Sequence, residues 1–206
     1  LPIMDLFTNS DPKSLNLLPK DGIVHYFGPI MDRKTADEYF QKLLVTIPWE
    51  KDVLVMFGKR LETKRKVAWY GDLPFDYTYS NTTKTALPWT QDLFSLKSMV
   101  EAAAGETFNS CLLNLYHSGE EGMSWHSDDE KELKKEGTIA SVSLGATRKF
   151  VFKHKNIKEK VEVLLDHGSL LLMKGTTQTH WLHRLPPTKL IKAPRVNLTF
   201  RAIVQP

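Results

Sequence analysis

The segment Arg195-Val196-Asn197-Leu198-Thr199-Phe200-Arg201 alternates strictly between polar and apolar side chains. A β-strand sends successive side chains to opposite faces. Arg195, Asn197, Thr199 and Arg201 therefore share one face, and Val196, Leu198 and Phe200 share the other. Upstream, Cys111 to Tyr116 alternates too, with Asn114 and Tyr116 opposite Leu113 and Leu115. Thr138 to Leu144 (ended by Gly145), Lys149 to Lys155, Val161 to Leu165 and Ser169 to Met173 are further strand candidates.

The first half of the chain has a different texture. Asp21 to Phe27 reads as a short strand ended by Gly28-Pro29. Asp32 caps a helix through about Leu44, on which Ala36, Tyr39, Phe40, Leu43 and Leu44 recur at helical spacing. Pro88 opens a second helix through Ala104, with Leu93, Leu96, Val100 and Ala103 on one stripe and Gly105 at its end. Two helices followed by many short strands predict an α+β fold with a sandwich or jelly-roll β core supported by the helices. Residues 1–20 carry Pro2, Pro12 and Pro19 among polar residues and read as a flexible arm. Residues 21–206 read as one domain.

A 206-residue chain that is 41% hydrophobic has enough apolar surface for one filled core and is not a disordered sequence. The net charge of +4 permits a polyanionic partner without requiring one. The single cysteine, Cys111, excludes an intrachain disulfide and fits a reducing compartment. No apolar run reaches the ~20 residues of a membrane span, and no signal-peptide pattern is present. The expectation is an intracellular monomer, cytoplasmic if bacterial and nuclear if eukaryotic.

Chemistry enters at Trp125-His126-Ser127-Asp128-Asp129-Glu130. On an extended backbone, His126 and Asp128 point to the same side. An imidazole beside a carboxylate is two-thirds of the facial triad that holds non-haem Fe(II). Three histidines compete to complete it. His167 lies in an apparent turn, while His180 and His183 both follow the Ser169–Met173 strand, and spacing leaves the choice open. Arg195 and Arg201, on one face of one strand, suit the two ends of a small dicarboxylate, and Asn114 and Tyr116 add neutral hydrogen bonds. Between Lys51 and Thr85, basic groups (Lys59-Arg60, Lys64-Arg65-Lys66) interleave with Phe57, Trp69, Tyr70, Tyr77 and Tyr79. That mixture suits a nucleic-acid surface. It suits equally well a hairpin whose rings turn into the core.

Three segments together resemble the AlkB family of Fe(II)- and 2-oxoglutarate-dependent dioxygenases: His126 to Glu130, Thr179 to Arg184, and Pro194 to Arg201. By position in that resemblance, His126, Asp128 and His183 match the iron ligands. Arg195 and Arg201 match the residues that bind the carboxylates of 2-oxoglutarate, with Asn114, Tyr116 and Asn197 beside them. The family fold is a double-stranded β-helix. The activity implied is oxidative demethylation of N1-methyladenine and N3-methylcytosine in DNA, consuming 2-oxoglutarate and O2 and releasing succinate and formaldehyde. Both lesions are cationic, so Asp129 and Glu130 would face them, and Tyr77 and Tyr79 would stack on them. Met56-Phe57-Gly58-Lys59 resembles the finger that duplex-repairing members insert into the stack. Arg65 matches a position that contacts DNA near the flipped base, and about 51–85 would form a nucleotide-recognition lid. Thr107 to Ser110 and Ala68 to Gly71 look more like members that favour single strands and RNA, which keeps RNA demethylation as an alternative. A non-catalytic nucleic-acid binding module is disfavoured, because His126, Asp128, His183, Arg195 and Arg201 are all intact.

Overall fold

The computed structural model describes residues 15–56, 59–79 and 82–204, without the side chains of 53–61 and 77–84. In chain order its elements are β1 (Ile23–Pro29), α1 (Arg33–Thr46), β2 (Glu50–Met56), β3 (Lys59–Gly71), β4 (Asp76–Tyr79), β5 (Thr82–Thr85), β6 (Leu87–Pro88), α2 (Gln91–Ala104), β7 (Ser110–Tyr116), β8 (Met123–His126), β9 (Ile139–Gly145), β10 (Arg148–His154), β11 (Lys160–Leu165), β12 (Ser169–Lys174), α3 (Thr177–His180), β13 (Trp181–Leu185) and β14 (Arg195–Arg201). Among the described residues they form two facing sheets and a hairpin. The major sheet runs β1-β12-β9-β14-β7-β3-β2, with β6 added against β3. The minor sheet runs β11-β10-β13-β8, and β4 pairs with β5. This is the α+β jelly-roll expected from the strand pattern.

Period-two alternation sorts the major sheet's side chains into two environments. Leu113, Leu115, Val142, Leu144, Val196, Leu198 and Phe200 turn to the helices and pack with Leu43, Leu93, Leu96 and Val100. Each such side chain contributes roughly 1.5–3 kcal/mol on burial. On the opposite face, Ile139, Leu171 and Met173 meet Phe152, Leu165 and Trp181 of the minor sheet. That second core fills only one end of the space between the sheets. The other end is open, and there polar groups such as Asn114 and Arg195 stand among apolar ones such as Val67, Trp69 and Leu112.

The helices begin where their caps dictate. Asp32 accepts from the Thr35 backbone N–H at 2.8 Å. The second helix starts later than Pro88 because Thr90 supplies the cap, accepting from Leu93 N–H, while Pro88 pairs with Gly71 in a short parallel bridge. Gly105 ends it with φ 66°.

Two further expectations are corrected. The arm expected over residues 1–20 does not extend to 20. Asn16 Oδ1 accepts from Leu18 N–H and Val24 N–H, and Leu18 is buried in the core between the sheets; residues 1–14 lie outside the described part. Part of the segment expected as a lid, about 51–85, belongs to the major sheet. Lys66 to Gly71 is a full strand of the major sheet, in register with Leu115 to Ser110, and Trp69 and Tyr70 are buried. Phe57 lies outside the described residues, as do the side chains of Tyr77 and Tyr79. Among the described residues, no helix is long and apolar enough to cross a membrane.

Gly145, where β9 ends, has φ 91°. Its N–H donates to His167 Nδ1 at 2.8 Å, and His167 Nε2 lies 3.1 Å from Asp37 Oδ1 on α1. A Cβ there would fall 2.5 Å from Pro194 O and 2.7 Å from Phe40 Cε2. The chain enters β14 at this corner. Gly145→Ala should therefore lower stability by about 3 kcal/mol, combining left-handed strain with a backbone clash. Urea unfolding reads the loss directly, and a change within experimental error would mean that the corner relaxes freely.

Candidate active site

The minor sheet builds one wall. β8 and β13 are antiparallel, with His126 directly opposite His183 and ring centroids 4.2 Å apart. Asp128 follows β8 by two residues, its Oδ1 3.8 Å from His126 Nε2. The candidate donor atoms of His126, Asp128 and His183 all lie within 4.8 Å of one another. His126 Nδ1 is 2.8 Å from the Ser124 carbonyl. Donation from Nδ1–H there leaves Nε2 with the lone pair a metal needs. The Asp128 N–H donates to Gln178 Oε1 at 2.9 Å, so α3 holds the carboxylate's backbone. Phe150 and Phe152 pack their rings 5.4 and 6.1 Å from that of His183.

The other two histidines have different surroundings. His167 joins Gly145 to Asp37. His180 ends α3 and stacks on His154 with centroids 6.1 Å apart.

Asp128 is buried, which by itself would raise its pKa. The adjacent Arg201 guanidinium and the two imidazoles outweigh that, holding the carboxyl at about 2. Arg201 donates to Asp128 Oδ2 from Nε at 3.2 Å and from Nη2 at 2.7 Å. His183 is pulled down to about 3, first by burial and then by His126. At neutral pH the pair is thus an anionic carboxylate and a neutral imidazole, the forms that bind a divalent metal.

The three groups open on a cavity of about 720 Å³ between the sheets. Its far wall is the polar face of the major sheet. Arg195 is buried there, donating from Nη2 to Ser143 Oγ at 2.9 Å, with its guanidinium 5.5 Å from the centre of the Tyr116 ring. Arg195 Nε is buried without a hydrogen-bond partner among the described residues. A carboxylate in the cavity would satisfy it. Burial is the main cause that lowers the Arg195 pKa to about 10, with Arg148 adding to it. Two imidazoles, a carboxylate and a buried guanidinium awaiting an acceptor suit Fe(II) with a small oxo-dicarboxylate.

Asn114 and Tyr116 line the same cavity, as do Asp129 and Glu130. Asn197 also lines it, but its amide serves the wall. Its Nδ2 donates to Ser141 Oγ and Val142 O, and its Oδ1 accepts from Thr199 Oγ1. Arg65 is buried in the cavity wall rather than displayed on an open face, bonded to Asn114 and Asp52. Sequence reasoning missed Ser124, Gln178, Ser143 and Asp52. Only Ser124, two residues before His126, was within local reach; the others arrive through tertiary pairing.

Comparison with known proteins agrees with this geometry. Residues 22–201 match the family model of the 2OG-Fe(II) oxygenase superfamily. The chain is 42% identical over 186 residues to the cattle DNA oxidative demethylase ALKBH2, covering 85% of this chain and 67% of that protein. It is 40% identical over 195 residues to human ALKBH2, covering 89% and 75%. It is also 40% identical over 183 residues to cattle alpha-ketoglutarate-dependent dioxygenase alkB homolog 3, of which it spans 63%. The solved structure of OsALKBH1 superposes with a TM-score of 0.58 at 18% identity, covering 90% of this chain and 98% of that one, and so shares the fold. With the triad and the buried guanidinium in place, these matches put the chain in the AlkB family of Fe(II)- and 2-oxoglutarate-dependent dioxygenases.

Proposed function

We propose that this chain repairs DNA by oxidatively demethylating N1-methyladenine and N3-methylcytosine. The observation that carries the reading is that the His126–Asp128–His183 cluster and Arg195 open on the same cavity. The relatives named as DNA oxidative demethylases support it. When bound, Fe(II), 2-oxoglutarate and O2 would supply the oxidation of the methyl group, whose carbon leaves as formaldehyde with one oxygen atom of O2 while the oxo acid takes the other and becomes succinate and CO2.

The chain's own groups bind and orient. Arg195 grips one carboxylate, backed by Ser143 and Tyr116. Arg201 keeps Asp128 anionic and, at the cavity's edge, adds positive charge for the second carboxylate. A base methylated at these positions is cationic, and Asp129 and Glu130 provide opposite charge in the cavity lining. A paired base cannot enter such a cavity, so the substrate arrives single-stranded or flipped out. Phe57 is assigned the wedge that fills the vacated stack, and Tyr77 and Tyr79 are assigned the stacking surface. The site is built from one chain, and the reading requires no second copy.

The direct test incubates the protein with Fe(II), 2-oxoglutarate and N1-methyladenine placed in single-stranded DNA, duplex DNA or RNA, and follows methyl loss by mass. Loss from DNA is expected; loss from RNA alone would move the reading to RNA demethylation, and loss from none would end it. His126→Ala and Asp128→Ala should each cut succinate formation by at least about a hundredfold while leaving the circular dichroism spectrum unchanged. Phe57→Ala should reduce duplex repair more than single-strand repair, and equal losses would remove the wedge.

Binding can be read without turnover. Mn(II) with 2-oxoglutarate at about a hundred times its Kd should stabilise the wild type by about 2.7 kcal/mol, raising Tm by several degrees. Asp128→Ala should lose that shift. A variant that kept it would show the metal bound elsewhere.

A further inference from the structure

Arg65 is a third guanidinium in the cavity wall, and the chemistry above leaves it without a task. It reaches the wall by strand alternation: Arg65 shares the cavity face of β3 with Val67 and Trp69, which pair with the cavity-lining Asn114 and Leu112 of β7. Beside it the β2–β3 pairing is irregular, because Lys51 pairs with Lys66 but Val53 with Glu62, so residues 63–65 stand opposite Asp52. Thr63 Oγ1 donates to the Arg65 carbonyl at 2.7 Å and holds the bulge's shape. Arg65 is left 5% exposed. Its Nη2 donates to Asp52 Oδ2, while Nη1 donates to Asn114 Oδ1 at 2.8 Å and lies 3.4 Å from Met123 Sδ.

The chemistry of these groups orients the amide. A guanidinium only donates, so Asn114 must turn its oxygen toward Arg65. The amino group of Asn114 is then left for the cavity, and it has no hydrogen-bond partner among the described residues. A carboxylate only accepts. The amide thus presents the polarity that an anionic oxo acid needs, and a flipped amide would present a repelling oxygen. Asn197, directly opposite Asn114 on β14, spends its own amino group on Ser141 and Val142. Asn114 is therefore the amide in this pair with an amino group to offer.

We propose that Asp52 and Arg65 are positioning residues for 2-oxoglutarate: Asp52 anchors Arg65, and Arg65 locks the Asn114 amide with its amino group toward the ligand. This rests on the oxo-acid reading of the cavity and assigns Arg65 a task that needs no nucleic acid.

Calorimetric titration of 2-oxoglutarate into the Mn(II)-loaded full chain, without nucleic acid, tests it. Arg65→Gln should weaken binding about tenfold and Asp52→Asn about threefold. Arg65→Lys should not restore it, because an ammonium cannot bridge both partners in a fork. In an Asn114→Ala background, adding Arg65→Gln should change Kd by less than about twofold, since the amide it acts through is gone. Should Arg65→Gln fail to fold, the nearly isosteric Asp52→Asn decides. Wild-type Kd in the folded variants, or the full Arg65→Gln effect persisting without Asn114, overturns the relay. Unchanged 2-oxoglutarate affinity with weakened binding to DNA would make Arg65 a DNA contact instead. Wild-type protein that bound no 2-oxoglutarate would remove the oxo-acid reading itself, and the relay with it.

Discussion

The ion pair between Arg201 and Asp128 ties the two sheets together at the cavity. Arg201 is the last residue of β14 in the major sheet, and Asp128 lies just past β8 in the minor one. Asp128 is the buried partner, and the half-buried Arg201 reaches it from the other sheet. A carboxylate in this environment would lean toward its protonated form; the guanidinium reverses that and holds it well below the usual carboxylate range. Such a pair adds little over two apolar groups, yet removing one partner typically costs about 3–5 kcal/mol, because a buried charge is left alone. The pair thus specifies how far the sheets close. It also fixes the carboxylate beside the two imidazoles, so geometry and ionisation state come from one contact.

Everything else in the cavity follows from alternation along strands. The major sheet is covered on both sides, so its period-two pattern separates two buried environments instead of core from solvent. One face is hydrocarbon against α1 and α2. The other changes character along its length, from Ile139, Leu171 and Met173 to Asn114, Arg195 and Asn197. Where it is apolar the minor sheet packs against it. Where it is polar, packing would strand donors without acceptors, and a cavity results.

That difference explains what could be read from the residues in advance. Arg195 to Arg201 and Ser110 to Tyr116 declare themselves as strands because their alternation is local. His126 and Asp128 declare a shared side for the same reason. The third histidine was open on spacing because the answer is a register: His183 faces His126 across β13 and β8, and no local pattern encodes that pairing. The family resemblance pointed to His183, and the structure reaches the same residue by geometry. His167 is a rival on sequence alone, but in the fold Gly145 and Asp37 occupy its two nitrogens. Leu18 looked like part of a loose arm because its partners Phe152 and Trp181 lie more than a hundred residues away. The helix start at Thr90 was a competition between two good starters, and the hydroxyl prevailed because Pro88 was needed beside Gly71. Arg65 reads as one of several cations between Lys59 and Lys66; alternation puts it on the face of Val67 and Trp69, and that this face is the cavity wall follows from the pairing of β3 with β7.

The three guanidiniums in the cavity wall are not matched alike. Asp52 answers Arg65 and Asp128 answers Arg201, but Arg195 has only a hydroxyl and the face of a tyrosine ring among the described residues. Burial, the main cause that lowers its pKa to about 10, shows that the wall disfavours the guanidinium's charge. A fold under selection for stability alone would replace it with an apolar residue. Kept buried, with Nε unpartnered among the described residues, it gains more from an incoming carboxylate than an exposed arginine would, because that ligand restores what burial removed rather than exchanging one solvated state for another. The same reasoning sets the ligand's sign: a neutral molecule would leave the guanidinium as poorly placed as before. Cost and affinity therefore have one origin, the buried guanidinium of Arg195, whose Nε is without a partner among the described residues and suits an acceptor on an anionic ligand.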